Sequence, residues 1–205
     1  MAKIEFYFDC SSPWTYLAFA AFVKDPTFQA CDVDWKPFLV GGVFNTVNPS
    51  VYESRANPVA IKQKYYAKDL KDWSRHVGVE IGSPPVFPVN SVKVMRGAFV
   101  ALEESNEKLV EYAMLAFERY WGELRDISQD DEVTSIARDA GLDVDQFWAK
   151  ITDQAYKDRL KTNTDELMRE VALVLLLSLL MSAICISVMT DFRLLWRRSK
   201  DKHER

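Results

Sequence analysis

The sequence is poor in the residues that mark fibrous, disordered and disulfide-stapled proteins. Its 205 residues include 7 Gly and 8 Pro, too few for a collagen-like repeat or a low-complexity chain. The three cysteines form no Cys-x-x-Cys pair, and the two histidines lie far apart; these residues are Cys10, Cys31, Cys185, His76 and His203. The sequence therefore predicts neither a disulfide framework nor a zinc cluster, and a reducing compartment is expected.

A surplus of basic residues is also lacking. The chain has 26 Lys and Arg against 30 Asp and Glu, a formal net charge of −4. Basic residues outnumber acidic ones only beyond residue 170, so the preceding body is the more acidic part. Such a body is not expected to bind nucleic acid, because phosphate neutralisation supplies most of that affinity. The first residues run directly into a strand pattern, so no signal peptide is predicted.

The first forty residues carry the pattern of a strand, a helix and a second strand. Alternating apolar residues at Ile4, Phe6 and Phe8 predict the first strand. Ser12 is a good N-cap and Pro13 suits the first helical position, and an apolar stripe continues to Phe22. A second strand is predicted over residues 33–38. The unit is therefore βαβ, which opens an α/β fold.

The chain then becomes mainly helical. Residues 45–58, rich in Asn and Pro, are expected to be irregular. Apolar spacing predicts one amphipathic helix over 58–77, with Gly78 as its stop. Residues 81–90 hold three prolines and are expected to form a loop, and Asn90 and Ser91 then cap a helix reaching Leu102. Further helices are predicted at about 107–121, 129–140 and 144–160.

Residues 171–190 form an apolar run without a charged residue. As a helix the run would be about 30 Å long, which matches the hydrocarbon thickness of a bilayer. Basic residues follow it, so the positive-inside rule predicts a cytoplasmic tail at 191–205. We expect a membrane-spanning helix; the alternative is a buried core helix.

The loop between the first strand and the first helix is the best candidate for a functional site. It places the Ser12 hydroxyl at the carboxyl end of a strand and the amino end of a helix, the favoured ligand crevice of α/β sheets. Helix N-termini attract anions, including thiolates. The simpler interpretation is that Ser12 only caps the helix, a contribution of about 1 kcal/mol.

The opening segment resembles a known family. FYFDCSSPWTYLA at residues 6–18 is similar to the start of 2-hydroxychromene-2-carboxylate isomerases and kappa-class glutathione transferases, and the resemblance continues in residues 36–44, 64–97, 120–128 and 162–170. The resemblance implies a thioredoxin-like, DsbA-like fold with a large inserted helical subdomain. The chain is accordingly predicted to consist of five parts. They are the N-terminal βαβ portion (1–57), the helical insert (58–160), a connecting segment (161–170), the apolar, predicted transmembrane helix (171–190) and the basic tail (191–205).

The resemblance also implies a function and a site. The chain is expected to be a glutathione-dependent isomerase or transferase that acts on an unsaturated or aromatic-derived small molecule. Ser12 would contact the sulfur of glutathione beside Pro13, and an Asn, either Asn48 or Asn57, would contribute to glutathione binding. Asn90 is a further candidate, with a helix cap as its alternative.

The same loop argues against disulfide exchange. Redox relatives carry a Cys-x-x-Cys where this chain has Ser-Pro-Trp-Thr, so a disulfide oxidoreductase is disfavoured. Cys10 lacks a resolving partner and is expected to pack as a small hydrophobe.

The resemblance ends near residue 170. Family members continue there into a cis-proline strand, a second strand and a final helix, whereas this chain has the apolar run. The C-terminal part of the thioredoxin sheet is therefore expected to be missing and replaced by an apolar helix. The run is either a membrane anchor or the product of an alternative 3′ end, and a membrane-tethered protein without catalytic activity is the competing hypothesis. The family implies a cytoplasmic, mitochondrial or peroxisomal location and a homodimer.

Overall fold

The structure is a computed structural model that describes residues 3–26, 31–47 and 50–170. Two units are distinguished, Met1–Asp165 and Glu166–Arg205, and every contact given below lies in the first. The predicted spanning helix at 171–190 and the basic tail lie outside the described residues. Among the helices that the structure describes, none is long and apolar enough to cross a membrane.

The chain opens with the predicted βαβ unit. Strand β1 (Lys3–Phe8) leads into helix α1 (Pro13–Lys24), and strand β2 (Asp32–Pro37) follows. The two strands pair in parallel with Phe6 opposite Trp35, and they form a two-stranded sheet within the described ranges. Parallel pairing requires a crossover, which α1 supplies.

Two short helices replace the irregular stretch that the sequence predicts. Helices α2 (Val40–Val47) and α3 (Ser50–Ala56) occupy most of residues 45–58, so that prediction is wrong. Two residues separate the end of β2 from Val40, where α2 begins. The Val43 backbone N–H donates to the Leu39 carbonyl oxygen at 3.2 Å. Helix therefore forms at residues 45–47 and 50–56 of this stretch, although Asn and Pro favour turns.

Helix α4 (Ala60–Val77) confirms the predicted long helix, and Gly78 ends it in the left-handed region at φ 72°. None of the side chains of α4 is fully buried, and Tyr66 remains 47% exposed. The helical periodicity was therefore a correct guide to conformation but not to burial.

The remaining helices build most of the core. They are α5 (Val92–Glu104), α6 (Asn106–Phe117), α7 (Asp130–Asp139), α8 (Val144–Thr152) and α9 (Gln154–Glu170), with a π-helical turn at Glu118–Gly122 after α6. The helix predicted over 144–160 is in fact two, because Asp153 adopts an extended backbone and its carboxylate accepts the N–H of Ala155 at 2.7 Å. Such side-chain-to-backbone bonds compete with helix continuation.

Aromatic rings join the sheet to the helical part. Phe19 of α1 lies 5.3 Å from Phe8 of β1 and 5.4 Å from Phe117 of α6, measured between ring centroids. All three side chains are fully buried. Burial of large rings contributes much of a core's stability, so α1 is anchored on both sides and its N-terminus is held in place.

The π turn fixes a further buried ring, that of Tyr120. The Glu123 N–H donates to the Glu118 carbonyl at 2.8 Å, which is the i to i+5 spacing of a π-helix. Within the turn, the Tyr120 hydroxyl donates to the Val86 carbonyl at 2.8 Å. The turn therefore ties the end of α6 to the proline-rich loop before α5.

Candidate functional site

Ser12 occupies the N-cap of α1, as the sequence predicts. Its hydroxyl oxygen accepts the N–H of Thr15 at 3.2 Å, and its carbonyl accepts the N–H of Tyr16 at 3.1 Å. The side chain is half-buried. Pro13 is buried at the first helical position, where the absence of an N–H has no consequence for the helix.

Two hydrogen-bond donors at the start of α1 remain available. In the described part of the chain, the Ser12 hydroxyl proton has no acceptor and the backbone N–H of Trp14 has no partner. Both donors lie at the positive end of the helix dipole. An anion placed there would receive two hydrogen bonds and a favourable electrostatic interaction.

A buried carboxylate braces the loop that carries Ser12. Asp9 is 1% exposed, and its two oxygens accept the N–H groups of Ser11 at 2.9 Å and of Val40 at 2.8 Å. Burial raises the pKa of Asp9, and the bonds from Ser11 and Val40 oppose that rise. Asp9 also accepts the Ser12 N–H through its own carbonyl at 3.1 Å. One residue thus connects the Ser12 loop to the start of α2.

Cys10 is buried and packs against a methionine, as predicted. Its Sγ lies 3.5 Å from the sulfur of Met95, and its carbonyl accepts the indole N–H of Trp121 at 2.9 Å. Burial, followed by the charge of Asp9, raises the pKa of the Cys10 thiol well above its ordinary value. A buried thiol with a raised pKa is a poor nucleophile.

A cavity of about 200 Å³ lies beside this loop. It is bordered by the loop itself, by the first turn of α2 and by the segment before α5; its lining includes Asp9, Ser11, Gly41, Tyr52, Phe87 and Asn90. Ser12 is not among the lining residues. The lining therefore combines polar residues with the aromatic residues Tyr52 and Phe87.

The other predicted site residues have different positions. Asn90 borders the cavity, and its side-chain oxygen accepts the Val92 N–H at 3.2 Å, so it also acts as the predicted cap. Asn57 is exposed just after α3, and its N–H donates to the Glu53 carbonyl at 2.9 Å. Asn48 lies outside the described residues.

Sequence reasoning missed Asp9 and a contact at the outer side of the loop. The Trp14 indole N–H donates to the Tyr66 hydroxyl at 3.0 Å, and the two rings meet edge to face at 5.6 Å. This contact joins α1 to α4. No local signal in the sequence pairs Tyr66 with Trp14, because the two residues are 52 positions apart.

Comparisons with known proteins identify the family of this chain. The family model described as DSBA-like thioredoxin domain matches residues 3–170. The chain is 25% identical to glutathione S-transferase kappa 1 of Caenorhabditis elegans, over 81% of this chain and 75% of that protein. It is also 25% identical to 2-hydroxychromene-2-carboxylate isomerase of Sphingobium xenophagum, over 69% of this chain and 70% of that protein.

The solved structures support the same fold. A 2-hydroxychromene-2-carboxylate isomerase superposes with a TM-score of 0.69 at 19% identity, covering 92% of this chain and 98% of that one. The helix-rich architecture with a small sheet is thus the DsbA-like thioredoxin fold that the opening residues predicted. Since the family model covers most of its length, the chain belongs to the DSBA-like thioredoxin domain family.

Proposed function

We propose that this protein is a glutathione-dependent isomerase or transferase in which the Ser12 hydroxyl donates a hydrogen bond to the glutathione sulfur. The observation that carries the proposal is the pair of available donors at the start of α1, the Ser12 O–H and the backbone N–H of Trp14. Relatives named kappa glutathione transferase and 2-hydroxychromene-2-carboxylate isomerase support the same reaction class.

The donor set suits a thiolate. When bound, glutathione would supply a nucleophilic sulfur for attack on an unsaturated or aromatic-derived electrophile. The Ser12 hydroxyl and the backbone N–H of Trp14 would form stronger hydrogen bonds with the ionised sulfur than with the neutral thiol. Such bonds lower the pKa of the thiol. The α1 dipole acts in the same direction. Asp9 would hold the Ser12 loop in position without contacting the sulfur.

The isomerase and the transferase share these groups. Both need a positioned thiolate and a nearby electrophile, and they differ in whether the sulfur leaves again. The cavity beside Ser11 and Asn90 lies next to the loop and has aromatic walls at Phe87 and Tyr52, which is a suitable environment for an unsaturated substrate.

A matched pair of cap variants tests the proposal. Ser12→Ala and Ser105→Ala each remove an N-cap hydroxyl, because Ser105 accepts the Lys108 N–H at 3.1 Å at the start of α6. Each should lower the free energy of unfolding by about 1 kcal/mol. Only Ser12→Ala should also change the response to glutathione.

The measurement is a thermal-shift titration of the full-length chain in detergent, together with conjugation of glutathione to an aryl halide. Glutathione should raise the melting temperature of the parent protein and of Ser105→Ala. Ser12→Ala should reduce the conjugation rate on the order of 100-fold, as expected for loss of one donor to a reacting anion. S-methylglutathione should bind Ser12→Ala and the parent protein more nearly alike, because it carries no thiolate.

Two results would contradict the proposal. A cooperative melt that does not respond to glutathione would show that the folded chain lacks this binding site. Equal losses of conjugation in Ser12→Ala and Ser105→Ala would show that Ser12 acts only as a helix cap.

A further inference from the structure

A second and larger cavity lies outside the proposed glutathione site. Its volume is about 650 Å³, and it is bordered by α1, the end of α4, α6 and the π turn. Its lining includes Tyr16, Val79, Glu80, Met114 and Glu118. None of the residues assigned a role in the proposed reaction borders it.

Tyr16 contributes a hydroxyl group to the lining of this cavity. The side chain is only 2% exposed, and one face of its ring stacks on Phe117 with centroids 4.9 Å apart. Within the described ranges, no hydrogen bond is made by its hydroxyl. The hydroxyl oxygen reaches the surface of the cavity, where a polar ligand group can form a hydrogen bond with it.

The lining of the same cavity also contains the carboxylates of Glu80 and Glu118. Burial raises the pKa of the Tyr16 hydroxyl, and the negative charges of Glu118 and Glu80 raise it further. Neither carboxylate forms an ion pair or a side-chain hydrogen bond with another described residue. Glu123 of the same lining differs, because its carboxylate pairs with Arg125 at 2.9 Å.

The basic groups at the cavity are already engaged. Lys24 donates from Nζ to the carbonyl oxygens of Val77 at 3.0 Å and Gly78 at 3.4 Å, where it caps the end of α4. Arg75 pairs with Asp72 at 3.3 Å. Lys24 keeps its positive charge in these bonds, but the carboxylates of Glu80 and Glu118 outweigh it, so the net charge of these three side chains is negative.

We propose that this cavity binds an organic cation with a primary ammonium group and a short apolar body. An ammonium has three N–H donors, and the cavity offers three acceptors in the carboxylates of Glu80 and Glu118 and the hydroxyl oxygen of Tyr16. The alkyl part would pack on Val79 and Met114, and this apolar lining favours an alkylammonium over a hydrated metal ion.

Pentylammonium is a suitable probe, with 1-pentanol as its neutral counterpart. Calorimetric titration of the full-length chain should give saturable binding of pentylammonium, and 1-pentanol should not displace it. Glu118→Gln should weaken binding about tenfold, and Tyr16→Phe should weaken it several-fold. Glu104→Gln removes an exposed carboxylate from the end of α5 and serves as the control for general attraction to an acidic protein.

The variants also separate a binding role from a structural one. Tyr16→Phe should melt close to the temperature of the parent protein, because the hydroxyl that it removes has no hydrogen-bond partner among the described residues. Non-saturable binding, or equal weakening by Glu104→Gln and Glu118→Gln, would overturn the proposal. So would unchanged binding in Tyr16→Phe. Because the probe contains no thiol, a failure here leaves the glutathione proposal unaffected.

Discussion

Replacement of Asp9 tests whether a buried carboxylate holds the Ser12 loop against α2. In Asp9→Ala, the N–H groups of Ser11 and Val40 lose their acceptors. The buried Ser11 donor left without a partner costs about 1–3 kcal/mol, and the part-buried Val40 donor costs less. Relief from burying a charge offsets part of this loss. We therefore expect Asp9→Ala to lower the free energy of unfolding by about 2–4 kcal/mol.

Urea unfolding of the full-length chain, followed by tryptophan fluorescence, measures this loss. Asp32→Ala is the matched control because it removes an exposed carboxylate at the start of β2. Its unfolding free energy should stay within about 0.5 kcal/mol of the parent value. A loss below about 1 kcal/mol in Asp9→Ala would refute the bracing role, since at least one donor would then have found another partner.

The same residue predicts the sign of a pH effect. Burial raises the pKa of Asp9, so above the ordinary aspartate value near 4 the native state retains a proton that the unfolded chain releases. Stability from this group is therefore lost as pH rises towards the raised native value. Asp9→Asn cannot titrate, so the stability of the parent protein relative to Asp9→Asn should fall as pH increases from about 4. A relative stability that rises with pH would mean that the pKa of Asp9 is lowered instead.

Two further predictions concern the helical part. At Gly97 an added Cβ would lie 2.5 Å from Cε2 of the buried Phe147 ring, so Gly97→Ala should destabilise by about 1–3 kcal/mol in urea unfolding. Gly41→Ala should not destabilise the protein, because its Cβ would meet nothing within 4 Å. Equal losses of unfolding free energy in the two variants would contradict the packing argument. Partial burial opposes ionisation of Glu103, but the bond from Tyr156 at 2.6 Å and two basic partners lower its pKa. The parent protein should therefore lose stability relative to Glu103→Gln as pH falls below about 4.5. The loss should not exceed about 1 kcal/mol, because the carboxylate is part-exposed. A gain in the relative stability of the parent protein would contradict this prediction.

Features set by neighbouring residues could be predicted from the sequence. The strand at Ile4 to Phe8 follows from alternation, and the start of α1 follows from Ser12 and Pro13. The end of α4 follows from Gly78, whose positive φ disfavours other residue types. Each of these signals acts over a few residues, which is the range that periodicity and capping rules describe.

Features set by distant residues could not be predicted. Asp9 acquires its role only through Val40, which is 31 positions away. The helices α2 and α3 occupy a stretch whose Asn and Pro content predicts turns, and the exposure of Tyr66 depends on which helices pack against α4. Tertiary contacts decide these outcomes, and propensity alone does not.

The π turn at Glu118–Gly122 constrains the length of the chain at this point more than its composition. It places the Trp121 indole on the Cys10 carbonyl and the neighbouring Tyr120 hydroxyl on the Val86 carbonyl. Deleting one residue would restore ordinary α-helical winding and rotate the following side chains by roughly 100° about the helix axis, so both rings would turn away from their acceptors. Substitutions at the exposed Glu118 do not change the number of residues in the turn, so the directions of the following side chains about the helix axis stay the same. Insertions and deletions are therefore the sequence changes that this turn tolerates least.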